Sequence, residues 1–371
     1  VFVPFAAIMI ASLINANVAI FITGFLTIIL AVTLAFERQG FMVMNLAAAF
    51  VAILSTKALR QRKEVFVVCF KGWLCAVAVI FSIQFYQGHL LTEGVFSDIL
   101  SSAFFLMLTA VLVIGLLPLF ESGFKIMTDA TLMEYMDPNN PLLRSLAIES
   151  PGTYQHSIVV GHLAESAALA IGANGLFCRV ATLYHDIGKT KTPQYFSENQ
   201  ANGVNIHQLL TPKESAEVIL AHVPEGVALA RKGGLPEQFI DVIKEHHGTS
   251  LVYYFYRQEL ERLGNDKTLV EEKQFRYSGP LPRTKEGGII MIADMLEAAS
   301  RSLQVIDEAS TEELADRLIR DKLMTGQLDE SLLTLKELAI VKATLVKMIV
   351  AFSHSRVKYP KVEDRINLKT N

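Results

Sequence analysis

Between Val1 and Phe36 the sequence has no aspartate, glutamate, lysine or arginine. A stretch that long without charge excludes a solvated surface helix. Beyond Glu121 charges are frequent and both signs mix, so composition divides the chain into a membrane part followed by a soluble part. Cysteine is scarce: Cys69 and Cys75 lie in an apolar run, and Cys178 lies in a predicted soluble helix. No CxxC spacing occurs, which argues against a cysteine zinc site and a disulfide framework. The three read as small buried side chains. Net charge is also low, −3 over 371 residues, and gives no electrostatic basis for a nucleic-acid polymer as partner.

A hydrocarbon core about 30 Å thick needs roughly 20 apolar residues of helix. Residues 18–36 supply that length, and 41–56, 65–86 and 99–120 are three further predicted spans. Residues 1–14 are apolar but short, with Asn15-Ala16-Asn17 as a polar turn behind them. No basic n-region supports a signal peptide there. The segment reads as the trailing end of a span, so the chain is expected to start inside a larger protein. Lys57, Arg60, Arg62 and Lys63 crowd the loop at 57–64, which should therefore face the cytoplasm. The loop at 87–95 holds His89 and Glu93 without lysine or arginine and suits the outside. Glu37-Arg38-Gln39-Gly40 then falls outside and Asn15–Asn17 inside. Five spans deliver everything after Glu121 into the cytoplasm. Lys71, the one basic residue within a span, is expected to snorkel to the nearby face rather than mark a transport path.

Past Pro138 and Pro141 the pattern is helical. Helices are predicted over 154–171, ending at Gly172, and over 176–187, ending at Gly188. A third, over 212–222, opens with the capping box Thr211-Pro212-Lys213-Glu214 and closes at Pro224. Others cover 236–247, ending at Gly248, and 287–303, with two or more between Thr311 and Val357. No stretch reads as a sheet. The predicted fold is all-α: a helical transmembrane domain followed by a helical soluble bundle.

Four separated segments bring histidines and carboxylates: His156; His185-Asp186; His222 with His246-His247; and Asp294. Alone, each is an ordinary polar residue. Together they point further, because three helices are predicted to stop just after an imidazole, where free carbonyls favour a cation. Neutral imidazole suits Fe, Mn or Zn, and a carboxylate can bridge two ions. Seven ligands exceed one tetrahedral zinc and fit two metals sharing Asp186, with positions left for water and a phosphate oxygen. Such a pair makes water nucleophilic at neutral pH and steadies the leaving oxygen. Lys189, just after the HD dipeptide, would stabilise negative charge on phosphate or compensate a helix end. Glu297 and Arg301 follow Asp294 by one and two turns, and are either supports of the site or a surface ion pair. His162 stands roughly 240° around the helix from His156 and is excluded as a ligand. His89, His207 and His354 are also left out.

The run from Glu149 to Ser302 resembles the seven-helix membrane HD family of cyclic-di-AMP phosphodiesterases. The likeness rests on Ser150-Pro151-Gly152-Thr153-Tyr154-Gln155-His156-Ser157 and Tyr184-His185-Asp186-Ile187-Gly188-Lys189. It continues in Glu198-Asn199-Gln200, His222-Val223, His246-His247-Gly248-Thr249-Ser250, Phe275-Arg276-Tyr277 and Ala293-Asp294. It extends through the spans and the tail ending Val357-Lys358-Tyr359-Pro360. One departure is Asn205-Ile206-His207, where the family more usually has a central proline. The resemblance implies His156, His185, Asp186 and Asp294 on one divalent ion (Mn or Fe) and Asp186, His222, His246 and His247 on the other. Asp186 and Lys189 are the expected catalytic residues, with Asn199, Gln200 and Arg301 as substrate-binding candidates. The implied protein is a multi-pass protein of the bacterial inner membrane with 1–120 in the bilayer, a connector over 121–148 and a cytoplasmic HD domain over 149–371. Members also carry an extracellular domain before most of their spans, which is expected to be missing from this sequence, and a homodimer is compatible with this reading. The expected reaction opens cyclic di-AMP to linear pApA. A cyclic-di-GMP phosphodiesterase is the first alternative, but the GYP tripeptide of that branch does not occur. An inactive HD nucleotide sensor is the second, and a complete ligand set counts against it.

The basic loop supplies a test. A reporter fused after residue 63 or 130 should behave as cytoplasmic and one at residue 90 as external; an external signal at 130 would overturn the topology.

Overall fold

The computed structural model describes residues 2–33, 39–56, 59–88, 92–200 and 206–354. The predicted loop residues Glu37 and Arg38, Lys57, His89, Asn205 and the Val357–Pro360 tail fall outside them. Two compact units are present, Val1–Tyr135 and the chain from Met136 onward.

The first unit contains α1 (Phe2–Leu13), α2 (Ala16–Thr33), α3 (Gln39–Thr56), α4 (Glu64–Gln87), α5 (Glu93–Phe124) and the short α6 (Asp129–Tyr135). Asn15 makes the predicted turn, its Oδ1 accepting the Val18 N–H at 2.9 Å. Small side chains point inward: Ala7, Ala19, Ala49, Ala52 and Ala110 are buried, whereas Phe21, Phe25, Phe70, Leu74 and Phe104 are exposed. Water would force the reverse. Lipid permits this arrangement, because large apolar groups gain nothing by leaving the tails and helices gain by close approach. Gly72 of α4 shows how close: a Cβ there would stand 3.3 Å from the Ala48 carbonyl oxygen of α3. By length and composition α2, α4 and α5 can cross a membrane, while α1 and α3 provide shorter apolar helices. Arg62 of the basic loop pairs with Glu121 at 3.0 Å and Glu134 at 2.8 Å.

The second unit begins with α7 (Pro141–Glu149), α8 (Pro151–Ala170), α9 (Gly175–Thr182) and a 3-10 turn at Ile187–Lys191. It continues through α10 (Pro212–Lys232), α11 (Glu237–Glu245), α12 (Tyr253–Arg262), α13 (Lys285–Ser300), α14 (Glu308–Met324) and α15 (Leu335–His354). Among the described residues there is no strand, only an isolated bridge between Leu251 and Arg276. The fold is all-α. Helix α13 is its axis: Gly287 through Asp294 are all buried, so this helix is enclosed on every side. Tyr184, Phe239, Ile240 and Ile243 fill the space beside it.

Two predicted helix ends are corrected. Helix α10 does not stop at Pro224 but runs through it to Lys232, so His222 lies inside the helix. Proline costs a helix interior about 3 kcal/mol, and packing against α11, α12 and the 3-10 turn outweighs that local penalty. Helix α9 ends at Thr182, so His185 and Asp186 occupy the turn between it and the 3-10 segment. Gly188 therefore caps no α-helix. A Cβ on it would fall 1.9 Å from the His222 carbonyl oxygen and 2.6 Å from the Gly226 nitrogen. The glycine lets the HD turn lie backbone to backbone on α10. The capping box of α10 is present as predicted.

Gly188→Ala should thus prise the turn from α10. The expected loss of stability is about 1–3 kcal/mol, read as a lowered unfolding midpoint. A variant with wild-type stability would show that the contact yields freely.

Candidate metal centre

Three histidines share one local device. The Nδ1–H of His185 donates to Thr182 O at 2.6 Å, that of His222 to Ile219 O at 2.6 Å, and that of His246 to Ile243 O at 2.8 Å. Each imidazole is tied to the carbonyl three residues before it. This fixes the tautomer, so in the neutral ring Nε2 carries the lone pair. Two of these lone-pair atoms, on His222 and His246, face each other at 3.3 Å. Two acceptors at that distance repel unless a cation or proton lies between them. His156 is held differently: its Nδ1 lies 2.7 Å from Glu297 Oε2, which turns Nε2 towards Asp294 Oδ1 at 2.9 Å.

Asp186 lies between two groups of donors. Its Oδ1 faces His222 Nε2 at 3.4 Å and His246 Nε2 at 3.7 Å. Its Oδ2 faces His185 Nε2 at 3.2 Å and His156 Nε2 at 3.7 Å. Ligand atoms of Asp186, His222, His246 and His247 lie within 4.8 Å of one another, as do those of His156, His185 and Asp294. All seven residues singled out in the sequence are brought together. Within this set the buried His185 Nε2 and Asp186 Oδ1 lack a hydrogen-bond partner. Buried polar atoms without a partner are costly, and a divalent cation is the species whose charge and coordination satisfy this set of ligand atoms.

The electrostatics agree. Burial alone would raise the Asp186 pKa, yet His185 and then Lys189 outweigh it and hold the carboxyl well below its usual range. Asp294 is likewise held down by His156 and His185 against burial. Burial opposes protonation of His185, but Asp186 and Asp294 prevail and push it up to about 10. The cause of that rise, the two carboxylates, is the same negative charge a cation would meet. His222 goes the other way, taken by burial down to about 3, so its ring is neutral at ordinary pH, as a ligand must be.

Around this set, Lys189 Nζ lies 2.8 Å from Asp186 Oδ2 and 2.9 Å from Glu198 Oε1. Asn199 Oδ1 accepts the N–H groups of Gly152 and Thr153 at 2.9 and 3.2 Å, and its Nδ2 donates to Thr153 Oγ1. Its side chain is thereby engaged in capping α8. Gln200 donates to Gln194 O at 3.1 Å, and Arg301 grips Glu297 Oε1 at 2.8 Å. These three substrate-binding candidates are committed to protein partners in this structure. His162 stays apart, half-exposed near Glu165, and His207 bonds Tyr195 O. Sequence reasoning passed over Tyr277 except as part of a motif. Its ring lies 4.3 Å from that of His247 and 5.8 Å from that of His222; an aromatic following a polar motif residue gives no signal of such stacking.

Comparison with known proteins follows the same division of the chain. The HD domain profile matches residues 153–299, and the profile described as "7TM receptor with intracellular HD hydrolase" matches residues 1–128. The crystal structure of the Listeria monocytogenes phosphodiesterase PgpH HD domain is 42% identical, with a TM-score of 0.55, covering 58% of this chain and all of that one. The chain belongs to this family of 7TM receptors with an intracellular HD hydrolase. Family membership and the three long apolar helices make it a membrane protein, and the HD fold with its buried histidines and aspartates makes it a binder of divalent metal. It is also 43% identical to the cyclic-di-AMP phosphodiesterase PgpH of Bacillus subtilis over 279 residues, 75% of this chain. The same named protein of Listeria monocytogenes is 42% identical over 68% of this chain. The chain spans only 38% and 35% of those relatives' lengths.

Glu297 fixes the His156 ring through Nδ1, so Glu297→Ala should weaken divalent-ion binding about 10–100-fold without unfolding the protein. Equilibrium dialysis of the purified chain measures this, and unchanged affinity would remove Glu297 from the centre.

Proposed function

We propose that this chain is the hydrolytic part of a multi-pass bacterial inner-membrane phosphodiesterase that opens cyclic di-AMP to linear pApA. Its HD domain, over 149–371, would lie in the cytoplasm, joined by 121–148 to spans within 1–120. The observation that carries the reading is Asp186, whose two oxygens face two different sets of imidazole Nε2 atoms. Such a carboxylate would be shared by two divalent ions, one held by His156, His185 and Asp294 and the other by His222, His246 and His247. Ions there, Mn or Fe as the family resemblance implies, would polarise the phosphodiester and make water nucleophilic at neutral pH.

The protein's own contributions follow from its geometry. The three carbonyl-tied Nδ1–H groups hold their rings in one tautomer, so that Nε2 is the atom each ring presents to an ion. Glu297, itself gripped by Arg301, does the same for His156. Lys189, buried between Asp186 and Glu198, supplies fixed positive charge beside the bridging carboxylate, where negative charge grows on the phosphoryl oxygens during hydrolysis. Support for the nucleotide comes from the second solved Listeria structure, whose HD domain is in complex with cyclic di-AMP at 42% identity and a TM-score of 0.56.

The full chain, purified in detergent and supplied with Mn, should convert cyclic di-AMP to pApA and act far more slowly on cyclic di-GMP. A pocket matched to adenine leaves polar groups unpaired against guanine, at about 1–3 kcal/mol each. Asp186→Asn should abolish turnover and lower the metal content. Equal rates on both nucleotides would remove the adenine preference, and no turnover with metal bound would leave a sensor.

A further inference from the structure

The basic side chains at the centre, or bonded to the loop that follows His246 and His247, are mostly neutralised. Lys189 pairs with Asp186 and Glu198, Arg301 with Glu297, and Arg276 with Glu272. Lys322 of α14 is the exception. Among the described residues no carboxylate lies within 4.0 Å of its ammonium group, which instead donates to Ser250 Oγ at 2.6 Å. A half-buried lysine whose direct partner is a hydroxyl has no carboxylate paired with it, and such a charge is costly unless something else meets it.

Its position shows what could. Ser250 ends the run His246-His247-Gly248-Thr249-Ser250, and its N–H donates to His247 O at 3.1 Å. The Ser250 carbonyl accepts the N–H of Tyr277, whose ring packs on His247. One turn beyond Lys322, the buried Gln327 accepts the Thr249 N–H at 2.8 Å and returns its own amide to Thr249 Oγ1 at 3.0 Å. Gly248 has φ +53, and a Cβ there would meet Gln327 Oε1 at 2.5 Å. The end of α14 is thus bolted to the loop that carries two of the histidines. Burial lowers the Lys322 pKa, while Asp321 and then Asp294 push it back, which puts the ammonium within electrostatic reach of the centre.

Resting on the phosphodiesterase reading above, we propose that Lys322 binds the second phosphate of a cyclic dinucleotide while the first lies at the Asp186 centre. The substrate then is recognised as a molecule with two phosphodiesters, and Lys322 discriminates it from one with a single phosphodiester. The two charges are met by different parts of the protein: the scissile group by the histidine and aspartate cluster, the other by a cation delivered from α14.

The test compares wild type, Lys322→Gln and Lys322→Arg in the full detergent-solubilised chain with Mn, on cyclic di-AMP and on bis(p-nitrophenyl) phosphate, which has one phosphodiester. Lys322→Gln should raise KM for cyclic di-AMP about tenfold, the scale of one charge-assisted contact. It should leave kcat, metal content and the rate on the single diester unchanged, and Lys322→Arg should recover most of the loss. Equal impairment on both substrates would reduce Lys322 to a brace for the Ser250 loop, and an unchanged KM would remove it altogether; either result overturns the inference and leaves the phosphodiesterase standing. Wild-type protein that opens the single diester but no cyclic dinucleotide would overturn the substrate reading and Lys322's part in it together.

Discussion

A carboxylate buried beneath four imidazole rings sets the terms on which the second unit folds. Asp186 is almost fully enclosed, and a charge withdrawn from water is destabilising by several kcal/mol unless it is met in place. Lys189 meets one oxygen. The other faces only lone-pair atoms, since the rings of His222 and His246 have their N–H groups committed to the backbone. Such a cluster is repulsive without cations and strongly attractive with them. Metal binding and folding are therefore linked at this point, and the surrounding helices hold a geometry that the unliganded side chains would not choose.

The cluster of seven histidines and aspartates was legible in the sequence, although one reason for reading it was not sound. His222 is not at a helix end, because α10 continues through Pro224. The shared feature of His185, His222 and His246 is the bond from Nδ1 to the carbonyl three residues back, which neither composition nor period can show. Gly188 has the same lesson. A glycine after a predicted helix reads as a cap, but this one is required by a backbone contact with a helix more than thirty residues away in sequence. Local signals with a local cause survived intact: the Thr211–Glu214 capping box and the Asn15 turn. Signals whose cause is tertiary did not.

The membrane unit and the HD unit solve packing in opposite ways. In the first, alanines and glycines face inward and phenylalanines outward; in the second, Tyr184, Phe239 and the isoleucines of α13 are enclosed. The difference is the solvent on the outside, and it explains why a change of character along the chain was visible in composition alone. Both units use glycine where two helical segments must touch, Gly72 against Ala48 and Gly188 against His222. Close backbone contact serves packing energy in lipid and positions the Asp186 turn in the HD unit.

Charge balance bears on the proposed substrate. Asp186, Asp294, Glu198 and Glu297 are four carboxylates at or beside the centre, and Lys189 and Arg301 are the cations paired with them. With neutral histidines this leaves two negative charges unmatched. One divalent ion would make the assembly neutral. On the two-ion reading it would instead be positive by two, and a positive buried centre is as unfavourable as a negative one until an anion enters. A cyclic dinucleotide carries one negative charge on each of two phosphodiesters. Only one can lie against the Asp186 cluster, so on the proposed reading the excess charge would attract such a substrate over distance while Lys322, held at Ser250, would decide whether the second phosphate is held.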